Sequence, residues 1–168
     1  MTTIPRILTI QDMSSIGRCS LTVMLPIISA LQCQAVPLAT AVLSNHLEYP
    51  YFEIVDLSDH LTAFMDCWEK NNIDFNAIVS GFLASPEQIH LVEEAINRFC
   101  KDKMVIVDPA MADDGRLYSI YTPEMVKAMR HLISRAYIVK PNYTEACFLL
   151  DKPYSTNPIS NDELQNMC

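Results

Sequence analysis

Short apolar segments alternate with longer helical segments along almost the whole chain, and this alternation is the strongest constraint on its fold. The apolar segments have the length and the β-branched composition of buried strands. They are residues 6–11, 34–43, 75–83, 104–109 and 137–140. Because helical segments separate them, the pattern predicts βαβ units and a mostly parallel central sheet that is covered on both faces, an α/β fold with three layers.

The helical segments are recognised by their periodicity and by their first residues. Ser58 and Ser85 have the side chains of N-caps, and Pro26 lies inside the first helix, where we expect a kink. The predicted helices cover residues 18–32, 57–72, 85–103 and 122–136, with two more opening at residues 142 and 160. The last has a capping pair, Ser160 and Glu163, and no stop signal. We therefore expect residues 1–168 to form a single incomplete domain whose C-terminal part is missing.

The composition excludes several classes of function. The net charge of −8 and the absence of a basic stripe argue against nucleic-acid binding. There are three glycines and no GxGxxG or Walker A motif, so a generic dinucleotide-binding fold is disfavoured. The six cysteines form no CxxC pair, which indicates reduced thiols in a cytoplasmic protein. No segment has the layout of a signal peptide or the length of a membrane span.

Polar residues collect where the predicted strands end, which is where ligands bind in open α/β sheets. Asp108 follows a continuously apolar strand, and a carboxylate in such a place needs a partner. It is interpreted either as a turn-forming residue before proline or as a ligand of a hard cation. His46 is a candidate for metal binding or proton transfer, although hydrogen bonding to the backbone is favoured. Cys19 lies near a helix start, which can activate a thiol, although packing is favoured.

Asn142 and Glu145 stand three residues apart at the start of a helix. From spacing alone they form a capping-box pair. They also follow the strand next to Asp108, at a helix N-terminus that favours anions. The pair is therefore interpreted either as a helix cap or as part of a metal site.

Taken in order, several blocks of the sequence resemble the pyridoxal/pyridoxamine kinase group of the ribokinase-like superfamily. The blocks are ILTIQDMSSIGRCSLTVMLPIISAL, TAVLSNH, IVSGFLASPEQI, VIVDPAMADDGRLYSIYTPE and VKPNYTEACFLL. The resemblance implies a kinase that transfers the γ-phosphoryl group of ATP to the 5′-hydroxyl of pyridoxal, pyridoxine or pyridoxamine, in vitamin B6 salvage. It also implies that the reaction requires Mg²⁺, and it leaves open whether a monovalent cation is required. For the full-length protein it implies a homodimer.

The resemblance assigns roles to particular residues of this chain. The vitamer pocket is implied to include Asp12, Cys19, Leu47 and Phe82. The metal site is implied to include Asp108 and Glu145. The surroundings of the nucleotide phosphates are implied to include Asp113, Tyr121, Asn142 and Thr144. Leu47 departs from the threonine of many relatives, which leaves the substrate preference open.

The family's glycine-rich segment, which carries the anion hole and the general-base aspartate, is expected beyond Cys168. Without it, the chain alone is expected to lack turnover, because these groups supply orders of magnitude in rate. Two alternatives stay open. One is a hydroxymethylpyrimidine kinase of the same superfamily, and the other is a truncated, non-catalytic chain that binds a ligand.

Overall fold

The fold is built on a six-stranded, mostly parallel sheet. In the computed structural model, which describes residues 4–47 and 49–167, the strands lie in the order β3-β2-β1-β4-β5-β8. The strands of this sheet are β1 (Arg6–Ser14), β2 (Gln34–Leu43), β3 (Ile54–Asp56), β4 (Ala77–Ser80), β5 (Met104–Val107) and β8 (Ile138–Val139). Only β3 pairs antiparallel with its neighbour. The predicted α/β class with a mostly parallel sheet is confirmed.

Within the described residues, six helices and one hairpin connect or follow the strands. The helices are α1 (Leu21–Ala30), α2 (Ser58–Lys70), α3 (Pro86–Phe99), α4 (Pro123–Ile133), α5 (Tyr143–Leu149) and α6 (Asn161–Gln165). The hairpin joins β6 (Ala112–Asp113) to β7 (Arg116–Leu117). Ser85 and Thr122 accept hydrogen bonds from the backbone three residues on, so the side chains that cap α3 and α4 are fixed by local sequence.

The order of the strands reverses at the centre of the sheet. The chain runs outward from β1 through β2 to β3, and then returns to place β4 on the other side of β1. Connections that leave in opposite directions from two adjacent strands open a crevice at their carboxyl ends. The fold therefore places a crevice beyond the ends of β1 and β4.

The main core lies between the sheet and the helices α2, α3 and α4. Its most deeply buried members include Phe75, Ile78 and Ile89, none of which is exposed to solvent. The ring of Phe75 packs edge-on against Trp68 and Phe99, with centroids 5.5 and 5.2 Å away. This burial of large apolar side chains is the main driving force that holds the helices on the sheet.

The predictions for the start of α2 and for the end of β1 are wrong. The N-cap of α2 is Leu57 rather than Ser58, because Asp56 accepts hydrogen bonds from the backbone N–H and the hydroxyl of Ser58. Strand β1 continues to Ser14, where the sequence predicts a loop after Gln11. Its register against β2 shifts between Gln11 and Met13, so the polar residues are held in the sheet through a bulge.

The sequence analysis also misses β3, β6 and β7. These strands are two or three residues long, which is too short to show a hydrophobic period. The five described cysteines, Cys19, Cys33, Cys67, Cys100 and Cys147, are free thiols. Burial raises the pKa of Cys100 to about 11, so this thiol stays protonated at neutral pH. Within the described residues, no helix is both long and apolar enough to cross a bilayer.

Candidate active site

A cleft of about 580 Å³ opens at the strand reversal, beyond the carboxyl ends of β1 and β4. Its lining comes from five parts of the chain. The lining residues are Gln11, Asp12, Ser14, Gly17, Cys19, Ser20, Leu43, His46, Leu47, Gly81, Phe82, Asp108, Ala110, Tyr118 and Ser119. The cleft therefore combines carboxylate, hydroxyl, thiol and aromatic side chains within a volume that suits a small organic molecule.

Asp12 is the most deeply buried charged residue of the cleft, with 3% of its surface exposed. Its Oδ2 accepts a hydrogen bond of 2.9 Å from Ser14 Oγ. Among residues 4–47 and 49–167, no Lys, Arg or His forms an ion pair with it. A buried carboxylate with one neutral donor is costly unless a ligand supplies a further donor or a positive charge.

Two of the three glycines let the walls of the cleft come together. A Cβ on Gly17 would overlap the ring of His46, and a Cβ on Gly81 would overlap the side chain of Gln11. Gly17 also has a φ of +129°, which L-residues rarely adopt. Gly17 and Gly81 thus lie where the cleft needs close contact between its walls.

Asp108 forms the acidic side of the cleft. It directly follows β5, and its backbone N–H donates to the carbonyl of Ser80 at 3.0 Å. Its Oδ2 lies 2.7 Å from Nζ of Lys140, the residue that follows β8. Asp108 therefore points a half-buried carboxylate into the cleft and is paired with a lysine on the neighbouring strand.

Glu145 connects the first turn of α5 to the segment that follows Asp108. One carboxylate oxygen accepts from the N–H of Asn142 at 2.8 Å, and the other accepts from the N–H of Met111 at 3.2 Å. The side chain of Asn142 accepts from the N–H of Glu145 and donates to the carbonyl of Ala112. The capping box predicted from the spacing is confirmed, and the same two side chains also anchor the segment before the β6–β7 hairpin.

The β6–β7 hairpin is anchored by Thr144, which lies between Asn142 and Glu145 in the first turn of α5. Thr144 Oγ1 accepts a hydrogen bond of 3.1 Å from the N–H of Gly115, at the tip of the β6–β7 hairpin. Three side chains of one helical turn thus hold the whole segment from Met111 to Gly115 in place beside the cleft.

Burial governs the ionisation of Glu145 and Tyr121. Desolvation raises the pKa of Glu145, the backbone donors of Asn142 and Met111 oppose this, and the charge of Asp108 adds to the rise. Desolvation also raises the pKa of Tyr121 well above its ordinary value, with a further contribution from the charge of Glu145. The hydroxyl of Tyr121 is buried without a hydrogen-bond partner in the structure, and its ring lies 6.5 Å from that of Phe82.

The family model for phosphomethylpyrimidine kinase matches residues 25–167, which is most of the chain. The chain belongs to the phosphomethylpyrimidine kinase family.

Some of the similar proteins are assigned as phosphomethylpyrimidine kinases and others as pyridoxal kinases. A Bacteroides thetaiotaomicron protein assigned as a phosphomethylpyrimidine kinase, with a crystal structure that contains pyridoxal, is 43% identical with a TM-score of 0.93. The Leishmania donovani pyridoxal kinase in complex with ADP and pyridoxamine is 26% identical with a TM-score of 0.77. A Schizosaccharomyces pombe protein assigned as a pyridoxal kinase is 27% identical over 116 residues.

The matches cover most of this chain but only part of each relative. The chain is covered to 98%, 86% and 64% by the three proteins in turn. It spans 58% of the Bacteroides chain, 52% of the Leishmania chain and 33% of the Schizosaccharomyces protein. The comparisons establish the phosphomethylpyrimidine kinase family and the ribokinase-like fold, and the similar proteins are assigned either as phosphomethylpyrimidine kinases or as pyridoxal kinases.

The residues to which the resemblance assigns roles fall into two groups in the structure. Asp12, Cys19, Leu47, Phe82 and Asp108 all line the cleft. The others lie outside the lining, in the layer behind it or on the hairpin, and they are Asp113, Tyr121, Asn142, Thr144 and Glu145. The role of each residue stays a prediction, but the first group comes from four distant parts of the sequence and meets at one cavity.

Sequence reasoning missed Tyr118 and Ser119 of the lining. They follow β7, in a stretch without hydrophobic periodicity, and their only sequence signal is an aromatic residue shortly before the Thr-Pro-Glu helix start. The ring of Tyr118 lies 6.4 Å from that of Phe82, so the two aromatic residues flank one side of the cleft. Aromatic rings in this arrangement can hold a flat heteroaromatic ligand.

The carboxylates on the acidic side of the cleft fit a hydrated magnesium ion better than a directly ligated one. Both oxygens of Glu145 already accept backbone hydrogen bonds, and one oxygen of Asp108 is paired with Lys140. Carboxylate oxygens have further lone pairs that can accept from metal-bound waters, and Mg²⁺ usually keeps several waters. The described residues contain no group of three or more His, Cys, Asp or Glu side chains that could hold a metal, so phosphates and waters would supply the remaining ligands.

Proposed function

We propose that this protein is the N-terminal part of a vitamin B6 kinase, which transfers the γ-phosphoryl group of ATP to the 5′-hydroxyl of pyridoxal, pyridoxine or pyridoxamine. The observation that carries the proposal is the buried Asp12 carboxylate, which faces a cleft lined by Phe82 and Tyr118. The pyridoxal in the crystal structure of the Bacteroides relative and the ADP with pyridoxamine in that of the Leishmania kinase support it.

Asp12 suits the ring nitrogen of a vitamer. A carboxylate next to a pyridine nitrogen accepts a hydrogen bond from the protonated ring, an arrangement that enzymes of pyridoxal phosphate also use. Phe82 and Tyr118 would pack along the ring, and Cys19 and Leu47 would close the pocket around it. The chain's own residues would thus bind and orient the acceptor.

The acidic side of the cleft would face the phosphates of the nucleotide. We propose that Asp108 and Glu145 orient a hydrated Mg²⁺ ion, and that Asn142, Thr144, Asp113 and Tyr121 shape the surroundings of the phosphates. When bound, Mg²⁺ supplies neutralisation of the negative charge on the transferring group. The fixed hydrogen bonds of Glu145 keep this side rigid, which is what a preorganised site for phosphoryl transfer needs.

The general base and anion hole are proposed to lie beyond Cys168, as the family resemblance implies. The chain spans 58% of the Bacteroides structure, which is in keeping with further catalytic residues in such a segment. We therefore expect the chain alone to bind a vitamer without phosphorylating it. Turnover by the chain alone, with ATP and Mg²⁺, would contradict this part of the proposal.

A hydroxymethylpyrimidine kinase is the second candidate, because the family whose model matches residues 25–167, phosphomethylpyrimidine kinase, is named for a pyrimidine substrate. A pyrimidine ring would occupy the same cleft and would also present a ring nitrogen to Asp12. The two functions are separated by measuring kcat/KM for pyridoxal and for hydroxymethylpyrimidine side by side with the full-length protein. A higher value for hydroxymethylpyrimidine would reverse the proposed preference.

Replacing Asp12 by asparagine is expected to weaken pyridoxal binding by roughly ten- to a hundredfold. The change keeps the shape of the side chain but removes the charge, and hydrogen bonds to charged groups contribute about 1.5–3 kcal/mol. Binding is measured by titrating the chain with pyridoxal and following its absorbance. Asp102→Asn, at an exposed loop position, is the matched control for the lost charge. Equal affinity of the Asp12→Asn variant and the wild type would exclude the assigned role.

We also propose that the full-length protein is a homodimer that uses an uncovered patch of the sheet. Met13, Val42 and Val55 lie in register across β1, β2 and β3, with 41%, 37% and 60% of their surfaces exposed. Residues in register on neighbouring strands share one face, so the three side chains form one apolar row. A second copy of the protein would remove this row from water.

Val55→Asp is expected to convert such a dimer to a monomer, since an unpaired carboxylate would be buried at the contact. The mass in solution is measured by light scattering after size exclusion. Phe64→Asp, on α2, introduces the same charge at an exposed apolar position outside the row and should leave the mass unchanged. A monomeric wild type, or a dimeric Val55→Asp variant, would contradict this interface.

A further inference from the structure

The pair formed by Lys140 and Asp108 is the one charged contact of the cleft that the proposed roles leave unexplained. Lys140 Nζ lies 2.7 Å from Asp108 Oδ2, and the two side chains are 72% and 32% exposed. Asp108 lines the cleft whereas Lys140 does not. The ammonium therefore approaches the carboxylate from the solvent side, on the neighbouring strand.

The backbone fixes this approach. Val107 and Val139 are partners in the β5–β8 register, and the N–H of Lys140 donates to the carbonyl of Val107 at 3.0 Å. Asp108 and Lys140 are the next residues of the two strands, so the sheet itself places them side by side. The contact is consequently set by the fold and does not depend on a chance meeting of two surface side chains.

The charges around the pair are otherwise negative. Within the described part of the chain, Lys140 is the one cationic side chain that forms an ion pair with any of Asp12, Asp108, Asp113 and Glu145. The partners of Glu145 are backbone N–H groups, which carry only partial charge. Without Lys140, the acidic side of the cleft would have no full positive charge in ion-pair contact.

The exposure of Lys140 allows it to leave Asp108. Its ammonium sits on a flexible four-carbon stem, and most of its side chain is already in water. Exposed ion pairs of this kind contribute little free energy, at most about 1 kcal/mol. Lys140 can therefore neutralise Asp108 and can be displaced by a ligand that binds Asp108 more strongly.

We propose that Lys140 is an exchangeable countercharge, which occupies Asp108 while the cleft holds no divalent cation and is displaced when such a cation binds. The inference rests on the cation site assigned to Asp108 under the proposed function. It makes Lys140 a competitor of the cation. It also explains how the carboxylate is held in place before the nucleotide arrives.

The test is a titration of the chain with Mn²⁺ alone, followed by calorimetry and by the electron paramagnetic resonance signal of free Mn²⁺. Lys140→Met should bind Mn²⁺ about two- to fivefold more tightly than the wild type, which is the gain expected when an exposed competing ion pair is lost. Lys127→Met, at an exposed position of α4, removes the same charge elsewhere and should change the affinity much less. In the Asp108→Asn background, Lys140→Met should give no gain.

Three results would overturn the inference: equal affinities of Lys140→Met and Lys127→Met, weaker binding by Lys140→Met, or no Mn²⁺ binding by any version at millimolar concentrations. None of these measurements uses a vitamer or a nucleotide. A full-length protein that phosphorylates no vitamin B6 compound would therefore disprove the proposed function while a tighter Lys140→Met complex still supported the exchange at Asp108.

Discussion

Replacing Glu145 by alanine in the full-length protein is expected to lower kcat on the order of a hundredfold and also to destabilise the fold. The loss of turnover follows if Glu145 orients the waters of the bound cation. The loss of stability follows because the buried N–H of Met111 and the partly buried N–H of Asn142 lose their acceptor, which costs about 1–3 kcal/mol. Turnover is measured by vitamer phosphorylation, and stability is measured by thermal unfolding.

The chain contains its own control for this substitution. Ser160 and Glu163 form a second capping box with the same hydrogen bonds, at the exposed start of α6. Glu163→Ala therefore removes a cap of the same kind without touching the cleft. Turnover that falls equally in both variants, or that stays normal in Glu145→Ala, would leave Glu145 with a purely structural role as a helix cap and strut.

Replacing Phe75 by alanine is expected to lower the free energy of unfolding of the chain by about 3–5 kcal/mol, as for other large aromatic side chains in a core. The Phe75 ring is fully buried and contacts both Trp68 and Phe99, so its removal leaves a cavity between α2 and α3 that these rings cannot fill. The effect is measured by urea unfolding at constant temperature.

Phe64→Ala, on the exposed side of α2, is the matched control, since the same atoms are removed from a side chain that is 54% exposed. This variant should unfold within about 0.5 kcal/mol of the wild type. Similar losses in the two variants would show that the aromatic cluster does not hold the helices on the sheet in the way described.

The elements that the sequence predicts well are those whose signals are local. The apolar strands β2 and β5 and the helix starts at Ser85, Thr122 and Ser160 are placed correctly, because propensity and capping depend on a few adjacent residues. One of the errors is also local in origin. At Ser58 the hydroxyl donates to Asp56, which also accepts from the Ser58 N–H, so the Ser58 side chain does not cap α2.

The extension of β1 shows what local reasoning cannot supply. Residues 12–14 have the polar composition of a loop, but pairing with β2 across a bulge keeps them in the sheet. This is what buries Asp12 at the cleft, where a loop would have exposed it. The strand β3 and the β6–β7 hairpin exist for a similar reason, since each is stabilised by partners that lie distant in sequence or by anchors such as Thr144.

The sequence by itself determined the α/β class, the order of strands and helices, and the pairing of Asn142 with Glu145 as a capping box. These follow from periodicity and spacing, which are properties of neighbouring residues. Only the tertiary structure decided that the capping box also holds Met111 and Ala112, that Lys140 pairs with Asp108, and that Tyr118 joins Phe82 at the cleft. The physical reason is that such contacts depend on the order of the strands within the sheet and on their register. Both are set by the burial of the whole core rather than by any single segment.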